Sequence, residues 1–204
     1  MKTFRGLMLV LAAVFAMPSL PAAAQNGDPA GAFVQKLADD TINLLKSQTR
    51  GAARDAAFRE LMGTGFDVDF LGRQALARYW RTASEAERAE YQKVFYDYML
   101  RTITSRLARF EQETLKVTGT SKGPKEDVIV ASRVIGKGEP IQMDWQVRPM
   151  NGALKVIDVK IEGISMLITT REEFGGIVAQ KGMSGLLAAM KAKIEVMKAQ
   201  SAGA

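Results

Sequence analysis

The stretch PIQMDWQVRPMNGALKVIDVKI, residues 140–161, predicts two antiparallel β-strands joined by a tight turn. Its first half alternates polar residues with apolar ones, which are Ile141, Met143, Trp145 and Val147. A period of two is typical of a strand with one buried face. Asn151-Gly152 is the pair that favours a type I′ hairpin turn. We therefore expect strands at 140–147 and 154–161, paired side by side.

The same period of two continues towards the N-terminus. Residues 127–135 predict a strand with Val128, Val130, Ser132 and Val134 on one face, and Gly136-Lys137-Gly138 predicts its turn. Residues 114–120 predict a further strand. Together with the hairpin they predict a four-stranded antiparallel meander.

Helical spacing of apolar residues surrounds this sheet on both sides in the chain. The predicted helices are 29–46, 50–62, 66–81, 84–113, 164–179 and 184–198. Ser84 and Glu87 have the spacing of a capping box, and Gly175-Gly176 predicts a kink in the fifth helix. Helices, then strands, then helices predict an α+β fold, with the helices packed on one face of the four-stranded sheet.

The N-terminus predicts export. Lys2 and Arg5 precede an uncharged apolar run at 7–16, and Ala22-Ala23-Ala24 supplies small residues for cleavage, so residues 1–24 are predicted to be a cleaved signal peptide. An N-terminal membrane anchor is the alternative, although the apolar run is short for a bilayer core of about 30 Å. Residues 25–204 would then form one domain outside the cytoplasm.

Composition argues against most enzyme classes. The chain of 204 residues has no His and no Cys, which removes the commonest general base and the usual ligands of zinc, haem and redox centres. The net charge of +6 falls to +4 without Lys2 and Arg5. The charges alternate in sign, so we expect no nucleic-acid partner. We also expect no cofactor and no metal.

Carboxylates are the remaining candidates for catalysis. Asp67 and Asp69 lie at a helix start, where capping explains them, and residues two apart do not face each other on a helix. Asp144 and Asp158 lie in strands, and either could act as a base inside a small α+β cone. No partner for that chemistry is evident nearby in the sequence, so an enzyme is a minor hypothesis.

Large apolar side chains recur on several helices and on one sheet face. They are Phe70, Leu71, Trp80, Phe95, Tyr98, Met99, Ile103, Val130, Met143, Trp145 and, by the same alternation, Val147. A tightly packed core and a lipid cavity have the same appearance in a sequence. From the residues alone the ordinary core is favoured, which would make the protein an interaction module.

Ordered segments along nearly the whole mature chain resemble the MlaC family, also called the toluene-tolerance family. The segments that carry the resemblance are 66–67, 76–81, 84–88 with Phe95, and 156–165 with Arg171 and Phe174. The family consists of periplasmic phospholipid carriers of Gram-negative bacteria. The resemblance therefore implies an apolar cavity enclosed by the helices and the sheet. The lipid tails would lie between the predicted helix 84–113 and the inner face of the sheet, in contact with the eleven apolar residues above.

The resemblance also implies partners. A carrier of this kind shuttles phospholipid, without catalysis, between an outer-membrane lipoprotein complex and an inner-membrane ABC transporter that contains an MCE-domain protein. A monomer is expected. Ala77 stands where the family usually has Gly, Leu154 where it often has Trp, and Thr170 where an aromatic residue usually precedes Arg171. A hopanoid-associated lipid carrier is therefore the alternative.

Overall fold

The computed structural model describes residues 28–47, 51–107 and 113–202. The predicted signal peptide lies outside the described residues. The elements are the helices α1 Pro29–Ser47, α2 Ala52–Gly65, α3 Val68–Leu76, α4 Arg78–Thr82 and α5 Glu85–Leu107, the strands β1 Thr114–Lys122, β2 Val128–Ile135, β3 Ile141–Met150, β4 Ala153–Ile161 and β5 Ile164–Ser165, and the helix α6 Met166–Ala202.

The strands form an antiparallel sheet in the order β1-β2-β3-β4-β5. The α+β class is confirmed, but the prediction of four strands is wrong because the chain turns back at Gly163 and adds β5 to β4 for two residues. Asn151 and Gly152 have φ of 50° and 80°, which a type I′ turn requires at both positions. The predicted hairpin is thus present.

The predicted face of the sheet is buried by α1. Val130 pairs with Trp145 and Val128 with Val147, so their side chains share a face. We call the cluster on this face the sheet core: Ala30, Val34, Leu37, Ala38, Leu115, Val130, Trp145, Val147 and Val156. The indole N–H of Trp145 donates to Ser132 Oγ at 2.9 Å, which satisfies the one polar atom of that side chain.

A second cluster, the helical core, joins α2, α3, α5 and α6. Its large, fully buried members are Phe58, Leu76, Tyr91, Leu100, Phe174, Leu186 and Met190. Ser84 begins α5 with the predicted capping box, in which its backbone N–H donates to Glu87 Oε2 at 2.8 Å and its Oγ accepts from the Glu87 N–H at 3.2 Å. The predicted helix end at residue 113 lies beyond α5, and residues 108–112 are outside the described part.

Two helix boundaries differ from the prediction. Residues 66–81 form two helices, α3 and α4, because Ala77 between them has φ 51° and ψ −121°. Gly175-Gly176 is helical, so the predicted kink there is wrong. The break in α6 lies at Gly182, between the predicted helices 164–179 and 184–198, and its φ of 68° and ψ of −175° are values that only glycine adopts readily. We call residues 183–202 the C-terminal arm of α6.

Candidate functional site

A pocket of about 330 Å³ lies between α5, α6, β4 and α3. Most of its lining is apolar and comes from these four elements and from the residue that follows α2: Phe66, Leu71, Ala75, Phe95, Tyr98, Met99, Ile103, Val156, Val159, Met166, Leu167 and Met197. Concave, mostly apolar surfaces with a few polar groups are typical of sites for small ligands. The pocket is therefore the candidate site.

Aromatic rings fix one wall of the pocket. Phe174 is buried, and its ring centroid lies 5.6 Å from that of Tyr98 and 6.2 Å from that of Phe95. Tyr91 packs behind them and donates its hydroxyl to the carbonyl oxygen of Gly72 at 3.0 Å. Burial raises the pKa of Tyr91 well above its usual value, so the hydroxyl stays protonated and the bond persists.

Charged groups lie at the rim, with side chains that are half exposed. Lys193 Nζ of the C-terminal arm donates to Tyr98 Oη at 3.0 Å and to Glu173 Oε1 at 3.4 Å. The exposed fractions of the Lys193 and Glu173 side chains are 50% and 46%. The hydrogen bond to Tyr98, with a smaller contribution from the charge of Glu173, holds the pKa of Lys193 above its usual value. The ammonium group is therefore charged throughout the physiological range.

Most hydroxyls of the lining are engaged within their own helices. Thr169 and Thr170 donate to carbonyl oxygens four residues earlier, at 2.9 and 2.8 Å, and Ser105 donates to one three residues earlier at 3.1 Å. A back-bonded hydroxyl has already donated its proton to the backbone. The interior thus presents fewer hydrogen-bond donors than its residue types suggest.

Asp158 also lines the pocket, and its carboxylate holds the corner between β4 and α6. It accepts from the backbone N–H of Val159 at 2.8 Å, from Ser165 Oγ at 2.6 Å and from the Leu167 N–H at 3.1 Å. Ser165 Oγ in turn accepts from the Ile168 N–H at 3.1 Å, as an N-cap does. These bonds give Asp158 a structural task at the start of α6.

The other candidate carboxylates lie elsewhere. Asp144 contacts Gln142 Nε2 at 3.3 Å and is not part of the pocket. Asp67 Oδ1 accepts from the Phe70 N–H at 2.9 Å and caps α3, as the capping interpretation predicts. Among residues 28–47, 51–107 and 113–202, no group of three or more metal-ligating residues occurs. No helix in those ranges has the length and apolar character needed to cross a membrane.

The structure brings five of the eleven predicted contact residues together in this pocket: Leu71, Phe95, Tyr98, Met99 and Ile103. Val130, Trp145 and Val147 lie in the sheet core against α1, and Met143 packs at its margin. The period of two identifies a buried face but does not say what covers it. The contact of these four residues with lipid stays a prediction.

Phe70 and Trp80 lie outside the pocket as well. Phe70 contacts the guanidinium of Arg148 from β3, whose carbon lies 5.0 Å from the ring centroid. Trp80 packs edge-to-face on Tyr91 at 6.4 Å and lies under Arg88. Their contact with lipid also stays a prediction.

Sequence reasoning missed the contribution of α6 and β4 to the pocket. Met166, Leu167 and Met197 line it from α6, and Val156 and Val159 from β4. The sequence carries one sign that the last helix lines a pocket. Lys193 stands next to Ile194, at the border of the apolar stripe of that helix. A lysine at such a border can pack its methylene stem on apolar surface with its charge at a rim.

Comparison with known proteins identifies the family. The family model of the MlaC protein matches residues 35–192, well over half of the chain. The chain belongs to the MlaC family. The fold agrees with that of the phospholipid-binding protein from Ralstonia solanacearum, solved in complex with a phospholipid, with a TM-score of 0.69 and 22% sequence identity over 83% of this chain and 98% of that chain.

The residues that carry the MlaC resemblance build the frame of the pocket. Asp67 caps α3, and its backbone N–H donates to the Val156 carbonyl oxygen at 3.1 Å, which attaches α3 to β4. Arg171 Nε donates to the Gln74 carbonyl oxygen at 2.9 Å, which attaches α6 to α3. Phe174 is the centre of the aromatic wall. These residues position the elements that surround the pocket.

Proposed function

We propose that this MlaC family member is a periplasmic phospholipid carrier that holds acyl chains in the pocket between α5, α6 and β4. The observation that carries the proposal is the distribution of groups in that pocket: the lining is apolar, the hydroxyls are back-bonded, and the Lys193–Glu173 pair lies at the rim. Such a site favours long apolar tails inside and a polar headgroup at the exit. The phospholipid bound to the Ralstonia protein of similar fold supports this cargo.

The energetics explain why a carrier is needed. Each methylene group exposed to water costs about 0.8 kcal/mol, so two chains with roughly thirty methylene groups cost on the order of 25 kcal/mol. A free phospholipid therefore does not cross an aqueous gap at a useful rate. A protein that covers the chains removes this cost and needs no catalytic group. A chain without His or Cys is adequate for that task.

The size of the pocket depends on the position of the C-terminal arm. The C-terminal arm supplies Lys193 and Met197 to the lining and joins the rest of α6 at Gly182, so rotation about that residue would enlarge the pocket.

The partners follow from family membership and belong to the proposal. The carrier would work as a monomer and take lipid between an outer-membrane lipoprotein complex and an inner-membrane ABC transporter with an MCE-domain protein. Export of the chain by the predicted signal peptide at 1–24 would place it between the two membranes. No nucleic acid, cofactor or metal enters this function.

Mass spectrometry of the purified protein tests the cargo. The mature chain, isolated without detergent and extracted with organic solvent, should yield phospholipid in a stoichiometric amount. Ile103→Trp fills part of the pocket and should reduce the bound lipid several-fold, because the indole takes the space that an acyl chain would occupy. Ile135→Trp is the matched control, since Ile135 is exposed on β2 and lies outside the pocket, and it should retain the lipid.

The same measurement separates the alternatives. A hopanoid-type lipid in the extract would replace phospholipid as the cargo. Absence of any lipid, together with no uptake from phospholipid vesicles, would refute the carrier and favour an interaction module or an enzyme.

A further inference from the structure

The charged groups of the pocket rim have a composition that suits one class of headgroup. Three charged side chains line the pocket within the described residues: Asp158, Glu173 and Lys193. Asp158 is buried and engaged by the corner of β4 and α6. Glu173 and Lys193 remain at the exit, one negative and one positive, 3.4 Å apart.

We infer that Lys193 and Glu173 form a subsite for a zwitterionic headgroup, in which Lys193 binds the phosphate and Glu173 binds the ammonium group. The inference rests on the proposed carrier function and adds the headgroup class to it. A zwitterionic headgroup carries a negative phosphate and, a few bonds away, a positive ammonium group. The positive Lys193 and the negative Glu173 complement these two charges. Both protein charges then exchange a protein partner for a lipid partner, and neither is left alone.

Geometry supports the assignment of Lys193 to the phosphate. An ammonium group has three donors, and Lys193 uses two of them on Tyr98 and Glu173 among the described residues. The Tyr98 ring lines the pocket while its hydroxyl holds Nζ at the exit, 3.0 Å away. The phosphate, which directly follows the glycerol and the acyl chains, would lie at this boundary between apolar and polar surface.

Glu173 accounts for selection against anionic lipids. A headgroup with a phosphate and no cation would bring a negative charge to Lys193 and leave Glu173 beside it without a positive partner. Like charges at this distance oppose binding, although water screens groups that are half exposed. A preference of about two- to fivefold is expected from an ion pair of this exposure.

Competition between two lipids tests the subsite. The full mature protein is incubated with vesicles of equal parts phosphatidylethanolamine and phosphatidylglycerol with identical acyl chains, re-isolated, and analysed by mass spectrometry. The unsubstituted protein should be enriched about two- to fivefold in the zwitterionic lipid. Glu173→Gln should abolish the enrichment, and the loss should fall on phosphatidylethanolamine, whose ammonium group loses its partner. Lys193→Gln should lower the load of both lipids by a similar factor.

Matched controls lie on the same helix. Glu172→Gln removes an exposed carboxylate that does not line the pocket, and Lys191→Gln removes a lysine that pairs with Glu90 at 2.6 Å outside it. Both should keep the enrichment of the unsubstituted protein. Equal binding of the two lipids, or enrichment that persists in Glu173→Gln, would overturn the subsite and leave the carrier intact. A protein that takes up neither lipid would overturn both.

Discussion

The sheet core and the helical core are built from similar side chains, but the open pocket lies mainly beside the helical core and reaches the sheet core at Val156. In the sheet core, α1 covers the face that carries Val130 and Val147, and both are fully buried. In the helical core, Met99 and Ile103 of α5 pack against the cluster and remain partly exposed at the pocket. One cluster is closed by its neighbouring helix, whereas the other meets β4 across a gap.

This difference predicts which substitutions change the stability of the protein and which change its binding of lipid. The polar atom of the sheet core, the Trp145 indole N–H, is satisfied by Ser132, and Ser132 Oγ donates to the Met143 carbonyl oxygen at 2.9 Å. A closed cluster of this kind resists changes in volume. The pocket can accept a ligand because lining side chains such as Met99 and Ile103 are partly exposed. We therefore expect substitutions in the sheet core to affect folding, and substitutions in the pocket to affect lipid.

The largest effect is expected from Trp145→Ala, which tests the closed cluster directly. Removing a buried indole leaves a cavity that α1 cannot fill, and the free energy of unfolding should fall by about 3–5 kcal/mol. Urea denaturation followed by circular dichroism measures it. Trp145→Phe is the milder control, because it keeps one aromatic ring in the core and loses the hydrogen bond to Ser132, at a cost of about 1–2 kcal/mol.

Ile103→Ala provides the comparison on the pocket side. Its loss of stability should stay below that of Trp145→Ala by at least about 2 kcal/mol, since a partly exposed side chain makes fewer contacts. Equal losses at the two positions would contradict the distinction between a closed core and an open pocket.

The sequence predicted the local structure well because local signals determine it. The strand at 140–147, the Asn151-Gly152 turn, and the Ser84 and Asp67 caps depend on residues within a few positions of one another, and all are present. The packing of α1 on the sheet depends on contacts between residues that are far apart in the sequence. Alternation marked Val130 and Trp145 as inward-facing, but it could not show that Val34 and Leu37, rather than α5, lie against them.

The wrong predictions about helix breaks have a different cause. The Gly175-Gly176 pair predicted a kink, but both residues continue the helix, and the non-helical backbone lies at Gly182, in the gap between the predicted helices 164–179 and 184–198. Ala77 gave no local signal, since alanine is the best helix former. The resembled family usually has Gly at that position, which fits a backbone that strains alanine.

An intermediate effect is expected from Asp127→Asn, which weakens the connection between the sheet and the helical layer. Arg148 donates to both carboxylate oxygens of Asp127, at 2.6 and 2.9 Å, and its guanidinium lies over the ring of Phe70 from α3. Without the charge, the free energy of unfolding at pH 7 should fall by about 1–3 kcal/mol. Thermal unfolding of the two proteins measures it.

The pH dependence provides a second test of the same pair. The hydrogen bonds from Arg148 hold the pKa of Asp127 below its usual value, so the carboxylate stabilises the fold above about pH 4, and this contribution is lost as the pH falls through the lowered pKa. Asp127→Asn should therefore lose less stability between pH 6 and pH 3 than the unsubstituted protein. Asp40→Asn, which breaks an exposed pair with Lys36, should change neither the stability nor this slope appreciably.

The smallest effect is a gain in stability, expected from Ala77→Gly in the helical layer. Ala77 has φ 51° and ψ −121°, a backbone that strains a residue with a Cβ by about 1–3 kcal/mol. Glycine removes that strain at an entropic cost of about 0.5–1 kcal/mol. The balance should stabilise the protein by about 1 kcal/mol and raise its Tm by about 2–4 °C.

Ala89→Gly is the control for this change, because Ala89 is exposed in the interior of α5 and should lose about 1 kcal/mol. If Ala77→Gly raises the free energy of unfolding and Ala89→Gly lowers it, the strain lies at the junction of α3 and α4. This junction is next to Leu71 and Ala75 of the pocket lining. A loss of stability in Ala77→Gly would mean that the methyl group contributes more by packing than its backbone costs. The lipid load should stay unchanged in either case if the strain belongs to the frame of the pocket and not to its lining.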